Sequence, residues 1–179
     1  MKEFLRKLKI IEHFSTEIEI EQAEFVSRLQ NIVDNAGTGL FANAFDAFSA
    51  NNKIYKGFVD FEGFKIKRRK TFFDTNISLA KAEGSFSQNG KTLMIEAEIN
   101  GFTLEIKIMY VGILLFLVAI ITTILFAKNG NKNTSPVTFL PIFLFQGIIF
   151  LVVPYFLMRK SISRMKYELE REFFYLTKN

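Results

Sequence analysis

The side chains best suited to chemistry in this sequence are a run of cations and three carboxylates. The run Lys65-Ile-Lys-Arg-Arg-Lys70 gives residues 53–70 seven basic and two acidic side chains. Alternate residues of such a run share one face of an extended strand. Close to an anionic leaflet, each cation contributes about 1 kcal/mol to membrane binding. The run therefore predicts a surface for lipid headgroups or a partner, formed by Lys65, Lys67, Arg68, Arg69 and Lys70.

Nucleic-acid binding and a purely protective role are the two alternatives for this run, and both stay open. Nucleic-acid binding is disfavoured, because residues 1–108 carry fifteen basic and fifteen acidic side chains and contain no RNA- or DNA-binding motif. In the protective role, strand cations merely discourage pairing between sheet edges. We therefore expect no nucleic-acid partner, although the net charge of the chain is +5.

The carboxylates of Glu83, Glu96 and Glu105 lie side by side if the strands that carry them pair as predicted below. Such a trio is able to bind a cation or to act in acid–base catalysis, but a solvated strand face is the simpler interpretation. The chain has no Cys, which excludes thiolate chemistry and zinc–thiolate sites, and His13 is its only histidine. We predict no catalytic residue, no metal and no cofactor, and hence a protein without enzymatic activity.

Two segments, 109–127 and 137–158, contain no charged residue. About 20 apolar residues are enough for a helix to cross a bilayer, and a chain of 179 residues has too little further material to wrap two such helices. These segments predict two transmembrane helices joined as a hairpin by the polar loop 128–136. Within the second helix, Gln146 and the adjacent Gly147 predict a contact between helices, since a buried amide in hydrocarbon normally finds a partner.

The orientation follows from the charges that flank the apolar segments. The loop has two lysines, whereas seven basic residues lie near the outer ends of the helices: Lys91, Lys107, Arg159, Lys160, Arg164, Lys166 and Arg171. Cytoplasmic segments carry the excess of Lys and Arg, so both termini are predicted in the cytoplasm. A high content of Lys, Asn, Ile and Phe is consistent with an AT-rich bacterial genome, and hence with the inner membrane of a bacterium.

Residues 1–108 predict an α+β domain in the cytoplasm. Residues 1–50 are mainly helical in pattern, with a short strand at Thr16–Glu21. Residues 53–108 alternate with period two and predict a β-meander of about five strands. Its turns are Glu62-Gly63, Asn89-Gly90 and Asn100-Gly101. The apolar stripes of the predicted helices are Phe4/Leu5/Leu8/Ile11, Phe25/Leu29/Ile32/Val33 and Phe41/Phe45/Phe48.

The last predicted strand, Phe102–Ile108, runs directly into the first apolar segment. Pairing across the turn at Asn100-Gly101 sets Ile99 opposite Phe102, and the preceding hairpin sets Phe86 opposite Leu93 and Lys81 opposite Glu98. Because no linker separates the strand from the helix, we expect the domain to be held at the membrane surface.

Residues 159–179 predict an amphipathic tail helix. Its apolar stripe has helical spacing. Three arrangements fit such a stripe: packing on its own domain, a coiled coil in a homodimer, or a position in the membrane interface. The residues of the stripe are Ile162, Met165, Leu169, Phe173 and Leu176.

The functional prediction is a membrane-anchored domain that binds anionic lipid headgroups or a partner protein, which includes a second copy of the chain. The alternative is an accessory subunit of a multi-span transporter or channel. No small-molecule substrate is indicated.

Overall fold

The structure is a computed structural model that describes residues 2–35, 53–69, 79–127 and 140–178. The chain forms two units. The first, which we call the sheet domain, comprises Met1–Thr103 and Leu157–Asn179. The second, the apolar unit, is Leu104–Phe156.

The described residues form an α+β fold, as the sequence predicts. In chain order the elements are α1 (Lys2–Lys7), β1 (Ile11–Glu19), α2 (Gln22–Ile32), β2 (Val33–Asn35), β3 (Tyr55–Val59), β4 (Gly63–Arg68), β5 (Lys81–Asn89), β6 (Thr92–Asn100), α3 (Leu104–Ala127) and α4 (Leu140–Lys178).

The six strands form one mixed sheet in the order β1-β6-β5-β4-β3-β2. Strands β3 to β6 are an antiparallel meander, β1 adds antiparallel to β6, and β2 runs parallel to β3. In the β5–β6 hairpin Asn89 pairs with Thr92, so that Gly90, at φ +61°, and Lys91 form the turn. Phe86 consequently lies opposite Ile95 and not Leu93. This shift of two residues leaves every side chain on its predicted face.

The prediction that Phe102–Ile108 forms a fifth strand of the meander is wrong. Strand β6 ends at Asn100 and helix α3 begins at Leu104. The alternation of Leu104, Ile106 and Ile108 with charged residues resembles a strand, but it opens a 24-residue helix. A helix satisfies its own backbone hydrogen bonds, whereas a strand in this position needs a neighbour. The edge of β6 is paired with β1 instead.

The N-terminal region is less helical than predicted. Helix α1 ends at Lys7, and β1 is longer than the predicted strand at Thr16–Glu21. The helix ends because the Lys9 N–H donates to the Arg6 carbonyl (2.8 Å) and the Ile10 N–H donates to the Leu5 carbonyl (2.9 Å). These are the two bonds of a Schellman motif. The stripe Phe41/Phe45/Phe48 lies outside the described residues.

The core of the sheet domain lies between one face of the sheet and two helices, α2 and the second part of α4. Phe173 of α4 lies at the centre of an aromatic cluster, with its ring centroid 5.4 Å from that of Phe25 on α2 and 5.8 Å from that of Phe64 on β4. The side chains of β6 that point into this core are Leu93, Ile95, Ala97 and Ile99.

The apolar unit consists of α3 and the first part of α4. Both helices are long and apolar enough to cross a membrane. The Tyr110 hydroxyl donates to the Leu151 carbonyl at 3.3 Å, and a Cβ added to Gly147 would lie 3.4 Å from Leu117 Cδ2. Most of the remaining apolar surface is exposed, since only 6% of the apolar window of Leu104–Thr123 is buried.

Candidate functional site

The residues of the basic run have different surroundings in the structure. Lys65 is exposed on the open face of the sheet, where its Nζ lies 2.6 Å from Glu83 Oε1 on the neighbouring strand. Lys67 points to the same face and is 2% exposed. Lys70 lies outside the described residues. Of the four described members of the run, therefore, only Lys65 is well exposed.

The two arginines of the run hold elements of the sheet domain together. Arg68 points to the helix-covered face and bonds to the buried Glu168 of α4, which also accepts from Arg164 Nε at 2.7 Å. Tyr55 lies opposite Arg68 in the sheet, and burial raises the pKa of its phenol well above the ordinary value.

Arg69, just after β4, is buried, and its Nη2 lies 2.7 Å from Asp34 Oδ2 on β2. The arrangement of the run thus favours a structural role for both arginines.

The three carboxylates singled out by the sequence do not form the predicted row. Glu83 lies opposite Glu98, Glu96 lies opposite Ser85, and Glu105 belongs to helix α3. Among the described residues, no group of three or more Asp, Glu and His side chains is placed to hold a metal ion.

Glu98 is instead the centre of a polar cluster that binds α1 to the open face of the sheet. Its Oε2 lies 2.9 Å from His13 Nε2 and 3.8 Å from Arg6 Nη2, and its Oε1 lies 3.5 Å from Lys2 Nζ. Arg6 Nη2 also lies 2.7 Å from His13 Nε2. In one tautomer this nitrogen donates to Glu98, and in the other it accepts from Arg6. The cluster therefore fixes the position of Arg6.

Next to this cluster the sheet domain has a groove with a volume of about 490 Å³, which we call the basic groove. Three basic and one acidic side chains line it, together with one imidazole, a hydroxyl and an apolar residue. The residues are Arg6, Lys9, Ile11, Glu12, His13, Arg159 and Ser163.

The single carboxylate of the basic groove is already neutralised. Glu12 Oε1 lies 2.6 Å from Lys166 Nζ, and this hydrogen bond raises the pKa of Lys166. Within the described part of the chain, Lys9 and Arg159 have no carboxylate partner, and both side chains are exposed. The groove thus presents two cations, Lys9 and Arg159, that no carboxylate among the described residues neutralises. Such cations are the groups that recognise phosphate or carboxylate.

Backbone contacts place the basic groove at one end of the sheet domain. The Gly101 N–H donates to the Ile10 carbonyl at 3.0 Å, which ties the turn after α1 to the end of β6. A Cβ added to Gly101 would lie 2.8 Å from Ile162 Cδ1 and 3.4 Å from Met158 Cβ. A Cβ at this position would require the end of the Ile162 side chain to shift, so glycine suits this close approach. The contact brings the end of β6 next to the point where α4 enters the sheet domain.

The two residues predicted to join the apolar helices differ in position. Gly147 is buried against Leu117, whereas Gln146 is exposed. The structure thus places the glycine between the helices and the amide on the outer surface of the apolar unit.

The apolar stripe of the tail lies in the core of the sheet domain. Ile162, Met165, Leu169 and Phe173 are buried, and Leu176 is partly buried against the same core. Ser161, beside the stripe, accepts from the N–H groups of Leu79 (2.8 Å) and Ala80 (3.0 Å). At the end of the helix, Arg28 Nη1 of α2 donates to the Leu176 carbonyl at 2.5 Å.

The sequence did not reveal the basic groove. Arg159 entered the charge count that fixes orientation, but nothing in the local pattern pairs it with Lys9, about 150 positions earlier. No protein-family model, curated protein or solved structure matches this chain. The function is therefore inferred from the geometry of the site alone.

Proposed function

We propose that this chain is a two-pass membrane protein without a catalytic role. Its two apolar helices form a hairpin, and the hairpin holds the sheet domain at the cytoplasmic surface of a bacterial inner membrane. There the sheet domain binds anionic lipid headgroups.

The observation that carries this proposal is the contact of Gly101 with Met158 and Ile162. The chain leaves the sheet domain at Thr103 and returns to it at Leu157. Because Gly101 packs against α4 close to Leu157, both connections to the apolar unit start from one place on the sheet domain. Only Gly101, Phe102 and Thr103 separate β6 from α3, and no break separates the two parts of α4. The two connections between the sheet domain and the apolar unit are therefore short and start next to each other. This supports the proposal that the sheet domain is held at the membrane surface and is not joined to it by a flexible linker.

The exposed surface of the apolar unit supports insertion into lipid. Leu115 of α3 is 64% exposed and Phe145 of α4 is 67% exposed. Exposed apolar surface of this extent is unfavourable in water, and hydrocarbon removes that cost. The contacts Tyr110–Leu151 and Leu117–Gly147 join the helices at two levels, in the order expected of an antiparallel hairpin.

A cysteine-labelling experiment tests the two spans and their orientation. The chain has no Cys, so single substitutions give unambiguous labelling with a membrane-impermeant maleimide. We expect Asn131→Cys, between the apolar helices, to react in intact cells. We expect Lys91→Cys, on the β5–β6 turn, to react only after the membrane is opened.

Denatured samples of both variants serve as controls for the reactivity of each thiol. Labelling of both variants in intact cells would contradict two spans with a cytoplasmic domain. Release of the protein from membranes by alkaline carbonate would contradict membrane insertion itself.

A second candidate function, a subunit of a larger membrane complex, is favoured by one observation. Gln146 is exposed near the middle of the second apolar segment, and an amide facing hydrocarbon gains about 1 kcal/mol from a partner on another helix. We expect a stoichiometric membrane partner, or a second copy, to co-purify in mild detergent and to be lost in Gln146→Leu. Co-purification that is identical for Gln146→Leu and the wild type would count against this role of the amide.

A further inference from the structure

We propose that the basic groove binds the phosphodiester group of an anionic lipid headgroup, through Lys9, Arg159 and the pre-positioned Arg6. This inference rests on the proposed function, because it requires the groove to lie at the level of the headgroups.

The charges of the groove suit a phosphodiester. Lys9 and Arg159 have no carboxylate partner among the described residues, and Glu12 is held by Lys166 at 2.6 Å. Ser163 lies four residues after Arg159 on α4, so its hydroxyl is on the same helix face and lines the same groove. Phosphate oxygens accept hydrogen bonds from all three groups, and arginine is suited to bind two of these oxygens at once.

The backbone at Lys9 supports a role for its side chain. Lys9 has φ 54°, the left-handed conformation, at the position after a helix where glycine or asparagine is usual. Among the described residues it is the only one other than glycine with a positive φ. A lysine in this strained position adds a cation to the lining of the groove, which a glycine would not supply.

The position of the groove matches the proposed membrane boundary. Arg159 directly follows Met158, the last residue of the uncharged segment. The Ile10 carbonyl, next to Lys9, bonds to Gly101, which packs on Met158. Cations at the end of a span lie among the headgroups, and the cytoplasmic leaflet is the anionic one. A phosphate group of a lipid headgroup is therefore the ligand that this position favours.

Native mass spectrometry of the full chain in mild detergent tests the inference, with phosphatidylglycerol and phosphatidylcholine titrated as separate probes. Lys9→Asn removes the cation and keeps a residue that tolerates the left-handed conformation. Its matched control is Lys91→Asn, at the opposite end of β6, roughly 30 Å away at about 3.3 Å per residue. We expect Lys9→Asn and Arg159→Gln each to weaken phosphatidylglycerol binding roughly fivefold. Lys9→Arg should restore it, and Lys91→Asn should leave it unchanged.

Equal phosphatidylglycerol affinities for Lys9→Asn, Lys91→Asn and the wild type would overturn the inference. Phosphatidylcholine that binds as tightly as phosphatidylglycerol would also overturn it. A third arm adds inorganic phosphate: displacement of the lipid by phosphate alone at equal concentration would assign the groove to a soluble phosphate compound and refute the lipid assignment. The cysteine labelling involves no groove residue, so failure of this inference is distinct from failure of the two spans.

Discussion

The sheet domain and the apolar unit differ in the burial of their large apolar side chains. In the sheet domain Leu169 is fully buried, and the open face of the sheet carries charged residues. In the apolar unit Leu115 and Phe145 are largely exposed. Both patterns occur within α4, whose first part belongs to the apolar unit and whose second part fills the core of the sheet domain.

This difference supports the proposal that each unit is matched to a different solvent. The sheet domain removes its apolar surface from water through its own packing, which is the main source of stability for a water-exposed domain. The apolar unit leaves most of its described apolar surface exposed, and in the proposed function the hydrocarbon of the bilayer covers that surface. One helix serves both requirements because its charged residues begin at Arg159, three residues before Ile162, the first residue of the stripe that fills the core.

The largest effect is expected where the core of the sheet domain is opened. Phe173 is 1% exposed and its neighbour Phe174 is 53% exposed. We expect Phe173→Ala to lower the free energy of unfolding by about 3–5 kcal/mol, since it leaves a cavity beside the rings that Phe173 contacts. Phe174→Ala is the matched control, with a change of about 0.5 kcal/mol or less. The measurement is chemical denaturation of the full chain in mild detergent, and equal losses for the two variants would contradict the described core.

The next effect concerns the exposed face of the apolar unit. Leu115→Arg places a charge near the middle of the first apolar helix, where insertion into a membrane costs about 2.5–3.5 kcal/mol more. We therefore expect a large loss of carbonate-resistant protein. Leu115→Ala is the control and should insert normally. Normal insertion of Leu115→Arg would mean that this face lies against protein or water.

The sequence predicted the parts of the fold that depend on local patterns. Helix α2, the pairing of β3 with β4 and of β5 with β6, and the helical course of the tail follow from periodicity and turn residues. The register of both hairpins differs by two residues from the predicted one, since Val59 and not Phe61 lies opposite Phe64. The two helices long enough to cross a membrane follow from runs without charge.

The errors lie where distant segments decide the structure. Residues 102–108 have the alternation of a strand, but β1 pairs with β6 across more than 70 intervening residues. No local signal contains that pairing. The same limit applies to the site, because the basic groove joins a residue in a helix cap with residues of α4. The basic run illustrates the converse: Lys65, Lys67, Arg68 and Arg69 are adjacent in sequence but have different surroundings in the fold.

A moderate effect is expected for a buried hydrogen bond of the sheet domain. The Ser161 hydroxyl accepts from the N–H groups of Leu79 and Ala80 and holds α4 to the start of β5. We expect Ser161→Ala to cost about 1–3 kcal/mol in the free energy of unfolding, because both amides lose their acceptor. Ser163→Ala, exposed and two residues later, should change stability by about 0.5 kcal/mol or less. If Ser161→Ala were as stable as Ser163→Ala, the two bonds would have no energetic role.

The smallest effect is a pH dependence confined to the sheet domain. Burial raises the pKa of Tyr55 above its ordinary value of about 10, so folding favours the neutral phenol. The resulting stability is fully present below about pH 10 and is lost as pH rises above that value, since ionisation then favours the unfolded chain. At neutral pH we expect Tyr55→Phe to change stability by less than about 1.5 kcal/mol. Between about pH 9 and 11 its stability should fall less steeply than that of the wild type. The check is denaturation at several pH values, and parallel curves for the two proteins would show that Tyr55 ionises as readily in the folded state as in the unfolded one.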